Sequence, residues 1–246
     1  MTRSRPPARR RPVRQFIPPQ HGAWAMLVLP WLAGVLVAGF RWTHLPLFGA
    51  WLTGYLLSYY ALQAVKTRRP RRFRDQLLAY GPPTVLLGGL VLAVHPDLLW
   101  YAPAYAVLLV ANAVYAWRRK ERALVNDLAS VLQSCLMVLV AATVADVPVE
   151  QVSGVFLAVL AYFTGTVLYV KTMIRERGSA GYRVVSVVYH LVVFALAAWA
   201  DWLLGALFAI LLARAWVLPG RKLTPKQVGI LEIVNSVLLL VVVVVV

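Results

Sequence analysis

The chain has 246 residues, of which 61% are hydrophobic and 14% charged, with a mean hydropathy of +0.72. This composition lies far from that of soluble domains and excludes an ordinary soluble fold. A spanning helix needs about 20 apolar residues, so this length holds roughly nine or ten crossings with short connections and no sizeable extramembrane domain. The formal charge of +16, from 25 Lys and Arg against 9 Asp and Glu, would point to nucleic acid in a soluble protein. In an apolar chain it is read first as membrane topology, and no nucleic-acid partner is expected. The single cysteine, Cys135, excludes an intramolecular disulfide framework and an all-cysteine metal site.

Residues 1–16 are basic, rich in Pro and Arg and without apolar periodicity. They are expected to form a disordered cytoplasmic tail with affinity for anionic lipid. Arg9, Arg10 and Arg11 resemble the start of an export signal, but no cleavage site follows, and the tail is expected to be retained. Residues 17–246 are expected to form one nine-helix membrane domain. Apolar stretches of spanning length run over Gly22–Phe40, Leu45–Val65, Leu77–Val94, Leu98–Trp117, Leu124–Ala145, Val152–Met173, Tyr182–Ala200, Trp202–Leu218 and Val228–Val246. The predicted fold is all-α, a polytopic helix bundle whose environment is the lipid bilayer. Leu238–Val246 is wholly apolar and ends in lipid or at the outer interface.

An odd number of spans puts the two ends of the chain on opposite sides, and the charges decide which. Alternate connections carry 24 of the 25 basic residues, in the clusters Arg3–Arg14, Lys66–Arg74, Arg118–Arg122, Lys171–Arg183 and Arg214–Lys226. Arg41 alone lies on the other side, with Asp97, Asp146, Glu150 and Asp201. The positive-inside rule then predicts a bacterial plasma-membrane protein with its N-terminus in the cytoplasm and its C-terminus outside. Trp24, Trp31, Trp42, Trp100, Trp117 and Trp202 fall near span ends, as interfacial belts require.

Polar residues inside the spans gather at the basic ends. Tyr59, Gln63 and Lys66 follow an i, i+4, i+7 spacing that puts them on one helical face, and Asn112, Tyr115 and Arg119 form a similar stripe. Asn126, Ser130, Gln133 and Ser134 line one face of span five, and Lys171 and Arg175 are i, i+4 neighbours at the end of span six. Such one-sidedness predicts a basic cavity open to the cytoplasm and closed toward the outside. Its chemistry suits a phosphate, diphosphate or carboxylate. Most basic residues at such helix ends merely obey the topology rule and reach headgroups; Lys171, Arg175 and Arg119 differ in sharing faces with uncharged polar groups that headgroups do not require.

Single residues follow the same logic. His21 enters span one behind Pro18 and Pro19, as a ligand for an anion or as an interfacial hydrogen-bonding group. His190 lies about 12 Å into span seven, a depth at which a partnered, functional histidine is expected. Glu232 is the acid deepest within a span; pairing with Arg214 is the simple expectation and proton coupling the sharper one. Asp127 opens span five, where an acid also favours the helix dipole. His44 and His95 are expected to be solvated in outer loops, and Cys135 to be an inert core residue. The chain shows no phosphate-cradling Gly-rich loop, zinc-ligand spacing or nucleophile elbow.

The segment Ile17-Pro18-Pro19-Gln20-His21-Gly22-Ala23-Trp24-Ala25-Met26, with Arg118-Arg119-Lys120-Glu121-Arg122-Ala123-Leu124-Val125-Asn126-Asp127, resembles the YwiC-like family of bacterial membrane proteins. More distantly, the layout is similar to the UbiA superfamily of intramembrane prenyltransferases, and Tyr115 with Arg119 and Lys120 resembles a tyrosine and basic pair of those enzymes. The UbiA resemblance implies a UbiA-like helix arrangement and a prenyl diphosphate held with Mg²⁺ by two Asp-rich motifs. Here the matching positions carry Gln63, Lys66, Arg68, Lys171 and Arg175, so no metal and no cofactor is expected.

Three functions follow from these residues. The first is binding, with or without transformation, of an anionic lipid or isoprenoid-type amphiphile by His21, Gln63, Lys66, Tyr115, Arg119, Lys171 and Arg175. Asn126, Asp127, His190 and Glu232 are its candidate acid-base groups, as catalytic residues would require. The second is a small-molecule or ion permease in which Glu232, His190 and Asp127 relay protons. The third is a non-catalytic membrane subunit whose basic face docks a protein partner or lipid.

Overall fold

The computed structural model describes residues 13–18 and 21–246, with side chains at 15–18 and from 23 onward. Its described residues form an all-α bundle of nine helices: α1 His21–Ala38, α2 His44–Thr67, α3 Arg74–Val94, α4 Ala102–Trp117, α5 Leu124–Val144, α6 Val149–Met173, α7 Ala180–Ala200, α8 Trp202–Val217 and α9 Pro225–Val245. These match the nine expected spans to within a few residues. Short 3-10 turns cover Val13–Phe16, Pro70–Phe73 and Pro96–Tyr101. Residues 1–12 of the expected tail lie outside the described residues; Val13–Phe16 form a 3-10 turn whose Gln15 and Phe16 carbonyls accept from Tyr60 of α2 and Tyr80 of α3.

Helix ends follow from local chemistry. Arg68 adopts a left-handed conformation (φ 55°), and its amide closes onto the Ala64 and Val65 carbonyls at the end of α2. Arg119 takes the same conformation (φ 56°) after α4. Such residues satisfy carbonyls that the helix end leaves without partners, and they turn the chain back on itself. Asp201 caps α8 by accepting the amides of Leu203 and Leu204 at 2.7 and 3.1 Å. Thr224 and Gln227 form a capping box at the start of α9.

The outer surface explains the environment. Six helical stretches (70–94, 96–117, 124–144, 149–173, 180–200 and 225–245) are long and apolar enough to cross a bilayer. α1 and α8 are apolar but shorter, and α2 carries Thr53, Tyr55, Ser58, Tyr59, Tyr60, Gln63 and Lys66 along its 24 residues. Val85 and Leu86 on α3, Val107 on α4 and Val184 on α7 stand exposed among apolar neighbours. Faces of this extent are stable against lipid and unstable against water. The chain is a multi-pass membrane protein. Trp42, Trp100 and Trp202 stand exposed at one end of the bundle, and Trp117 and Trp216 at the other.

α5 is the shared centre. Val131, Cys135, Val138 and Ala142 join the main core with Ala33 of α1, Val159 and Tyr162 of α6, Leu211 of α8 and Leu239 of α9. Met137, Val140 and Val144 meet Leu47, Val91 and Leu98 in a second cluster with α2, α3 and the turn before α4. α1 approaches α5 closely at Gly34, where an added Cβ would lie 2.8 Å from the Val138 carbonyl oxygen and from the Ala141 Cβ. Cys135 is fully buried, as expected.

One expectation is overturned at the less basic end. His44 is fully buried rather than solvated. Its Nδ1 accepts the Arg41 amide at 2.8 Å, and Nε2 donates to the Ala141 carbonyl at 2.9 Å. A free N-terminal turn at α2 and a carbonyl near the end of α5 face each other there, and a neutral imidazole with one donor and one acceptor satisfies both. The partner that buries His44 lies 97 residues away on α5, so nothing in the local sequence of the loop marks it as buried.

Candidate functional site

The basic connections meet at one end of the bundle. Arg177 donates to the Arg221 carbonyl at 2.7 Å, Lys171 to the Arg122 carbonyl at 2.8 Å, and Lys66 pairs with Glu121 across the α2 and α4–α5 elements. Three groups of candidate residues are placed around this end.

The first group is internally neutralised. Lys171, 4% exposed, sits in an ion pair with Asp127 at 2.8 Å. Burial by itself would raise the Glu121 carboxyl, but the hydrogen bond and charge of Lys66 outweigh it and hold the group below its ordinary range. Asn112 on α4 donates to Gln133 at 2.9 Å and accepts from Ser130 at 3.2 Å, both on α5, while Asn126 donates to the Glu121 carbonyl at 2.8 Å. The stripe expected over Asn112, Tyr115 and Arg119 is interrupted because α4 ends at Trp117, leaving Arg119 exposed in its left-handed turn. Likewise α6 ends at Met173, so Lys171 points into the bundle while Arg175 stands exposed beyond the helix. The helix ends decide both cases, and i, i+4 spacing implies a shared face only while the helix continues.

The second group is a buried polar cluster among α6, α7, α8 and α9. Arg214 and Glu232 form an ion pair at 2.5 Å, with side chains 5% and 13% exposed. The expected pairing of Glu232 with Arg214 is therefore seen. Thr166 donates to Glu232 at 3.0 Å, and the Arg214 guanidinium lies 4.3 Å over the Tyr169 ring. His190 donates from Nδ1 to the Ser186 carbonyl at 2.7 Å, which leaves Nε2 as the acceptor facing Arg214 Nη2 at 3.4 Å. These partners assign the imidazole as the neutral Nδ1–H form. Gly165 makes room for it: a Cβ there would come within 2.9 Å of His190 Nε2. Sequence spacing singled out His190, Arg214 and Glu232. It did not single out Thr166 or Gly165, whose roles arise only from the packing of α6 on α7 and α9.

The third group forms an open cleft. Two adjoining cavities of about 330 and 370 Å³ share Gln15, Tyr60, Arg72 and Phe73. Tyr59, Gln63 and Thr67 of α2 line the first, and Arg71 and Gln76 line the second. The wall is built by the segment 13–18, whose carbonyls are held by phenols: Tyr60 donates to Gln15 at 2.8 Å and Tyr80 to Phe16 at 2.7 Å. Tyr60 and Tyr80 stack with centroids 6.0 Å apart. Of the expected ligand-binding residues this cleft contains Gln63, with Lys66 one turn further along α2 and paired to Glu121. Tyr115, Arg119, Lys171 and Arg175 are not among its lining residues, and the side chain of His21, at the start of α1, lies outside the described residues. Arg71, Arg72 and Gln76 were missed as site residues. The available signal was a glutamine in the first turns of an otherwise apolar span, next to a basic run.

The Mg²⁺ that a UbiA-type site implies does not fit the residues present. The positions where carboxylates would be needed hold Gln63, Lys66, Arg68, Lys171 and Arg175, and the nearby Glu121 and Asp127 are each occupied by a lysine. Hard divalent cations require free oxygen ligands, which these pairs do not offer.

Comparison with known proteins places the chain. The YwiC-like protein family matches residues 17–142, which hold α1 to α4, nearly all of α5 and most of the cleft. The "Uncharacterized protein YwiC" of Bacillus subtilis (strain 168) is 35% identical over 230 residues, covering 91% of this chain and 95% of that protein. An "Uncharacterized protein" of Haemophilus influenzae (strain ATCC 51907 / DSM 11121 / KW20 / Rd) is 30% identical over 224 residues, covering 89% and 93%. No solved structure matches. With a family match over half its length and a relative aligned almost end to end, this multi-pass membrane protein belongs to the YwiC-like family.

Proposed function

We propose that this protein binds an anionic amphiphile from the cytoplasmic leaflet of the bacterial plasma membrane, at the cleft between segment 13–18, α2 and the start of α3. The single observation that carries the reading is the cleft itself, a basic-rimmed cavity of ligand size at a helix end. Arg71 and Arg72 are exposed at its rim and their guanidinium groups suit a phosphate, while Tyr59, Tyr60 and Phe73 supply aromatic walls. The basic end faces the cytoplasm in this reading, since 24 of 25 basic residues belong to it. Charge neutralisation is by arginine and needs no metal. The UbiA-like arrangement remains a resemblance of layout, and the ligand's attachment to the cleft does not depend on it.

The test is native mass spectrometry of the protein released from nanodiscs of mixed lipid, comparing the parent with an Arg71→Gln, Arg72→Gln double variant. The expected result is an anionic lipid retained by the parent and lost by the variant. Retention of the same lipids by both returns these arginines to topology signals.

A second reading is favoured by one observation, the buried Arg214–Glu232–His190 cluster. Ionisable groups inside a bundle are costly and often mark transport paths, and here they would relay protons in a permease. Uptake driven by a proton gradient, and abolished in a Glu232→Gln protein that still assembles with a cooperative melting transition, supports that reading.

A further inference from the structure

We infer that the turn between α4 and α5 is a docking surface for an acidic protein segment on the cytoplasmic side. It stands apart from the cleft, which no residue of this turn lines. Arg118, Arg119, Lys120 and Arg122 are all exposed, and the ion pairs Lys66–Glu121, Lys171–Asp127 and Arg214–Glu232 include none of them. Four cations thus stand within five residues, and the acid among them, Glu121, is taken by Lys66.

The turn is held more firmly than a topology signal requires. Such a signal acts through charge count and needs no fixed conformation. Here the Lys120 amide donates to the Tyr115 carbonyl at 2.8 Å, and the Ala123 amide to the Lys120 carbonyl at 2.9 Å. Asn126 of α5 donates to the Glu121 carbonyl at 2.8 Å. Lys171 of α6, 4% exposed and paired with Asp127, donates to the Arg122 carbonyl at 2.8 Å. Arg119 is kept in a left-handed conformation (φ 56°) that an arginine seldom adopts. A buried lysine is costly to desolvate, and this one fixes the main chain beneath exposed cations. Charges on a fixed frame bind a complementary surface without the ordering cost of a mobile loop.

Ties from α2 on one flank and α6 on the other place the turn over the entry to α5, the central helix, with Arg68 and Arg175 exposed at the ends of the flanking helices. Lipid headgroups gather around the rim of a bundle, whereas a protein segment reaches the middle of its end face. The turn has no aromatic ring on which a base could stack, as single-stranded nucleic-acid sites use. Carboxylates of an acidic segment pair with guanidinium and ammonium groups and are steered in by the excess of positive charge.

The experiment uses the full chain in phosphatidylcholine nanodiscs and a short labelled peptide of alternating Glu and Gly, with affinity read by fluorescence anisotropy. The variant Arg118→Gln, Arg119→Gln, Lys120→Gln is compared with Arg221→Gln, Lys222→Gln, Lys226→Gln, which removes the same charge from exposed positions between and beside α8 and α9. We expect about a tenfold loss of affinity in the first and less than about twofold in the second, with the parent's affinity falling as salt is raised. Lys66→Gln combined with Glu121→Gln keeps the net charge and all four exposed cations but releases one tie, and it should weaken binding about threefold. Equal losses in the two triple variants, or full affinity in the released double variant, overturn the docking surface. A turn variant that binds peptide as the parent does but loses phosphatidylglycerol from mixed-lipid nanodiscs, read by native mass spectrometry, assigns these cations to headgroups and overturns it as well. Arg71 and Arg72 are unchanged in every variant, so each result leaves the cleft untouched.

Discussion

Arg214 on α8 and Glu232 on α9 share an ion pair at 2.5 Å in which neither side chain has more than 13% of its surface exposed. Thr166, Tyr169 and His190 close the remaining sides. A pair in this setting contributes little net attraction once its desolvation is counted, but losing one partner strands a charge in a low-dielectric interior. Glu232→Gln is accordingly expected to destabilise the protein by about 3–5 kcal/mol. The change is read as a fall in melting temperature in detergent. Replacing both residues by Leu and Met should recover part of the loss; a Glu232→Gln protein as stable as the parent would show that the charges are solvated.

The α1–α5 contact at Gly34 is expected to tolerate no larger residue. An added methyl group would sit 2.8 Å from the Val138 carbonyl oxygen, which is main chain and moves only if the helices separate. Gly34→Ala should destabilise by about 1–3 kcal/mol even though alanine favours helix. Gly88→Ala, on α3 with open space around it, is the control and should be neutral or stabilising.

Acid should loosen the tie between α2 and the α4–α5 turn. The Glu121 carboxyl lies below its ordinary value of 4.5 because Lys66 favours its charged form. A group depressed on folding contributes stability that is complete above its unfolded pKa and disappears as pH falls through its folded pKa. Both side chains are about one-third exposed, so screening keeps the contribution under about 1 kcal/mol. The stability difference between the parent and Glu121→Gln should thus be constant near neutrality and shrink once pH drops below 4.5. A difference that grows on acidification would contradict the ion pair.

Topology gives the fourth prediction. A membrane-impermeant thiol reagent should reach an Arg119→Cys protein from the cytoplasmic side and a Trp42→Cys protein from outside, both residues being exposed. The background thiol, Cys135, is buried and should stay unlabelled. Labelling of both new cysteines from one side would refute the nine-span arrangement of the two ends.

Apolar length and alternating charge determined the class, the number of helices and the gathering of basic connections at one end, because these depend on local composition and on the lipid requirement that every backbone group be satisfied within its own segment. Glu232 and Arg214 were legible as partners for the same reason: two opposite charges inside an apolar chain have few alternatives. Tertiary structure decided what each polar group meets. His44 looked solvated until α5 was placed beside it. Lys171 and Arg175 looked like one basic face until the end of α6 separated them, sending the first to Asp127 and leaving the second exposed. The cleft needed Gln15, Tyr60, Arg72 and Gln76 brought together from three stretches of chain, and neither periodicity nor charge counting reports such a meeting. Helix formation is governed by neighbours within a turn, whereas a binding surface is governed by which helix ends pack together. The first is written in local sequence and the second emerges from the sum of side-chain volumes across the bundle.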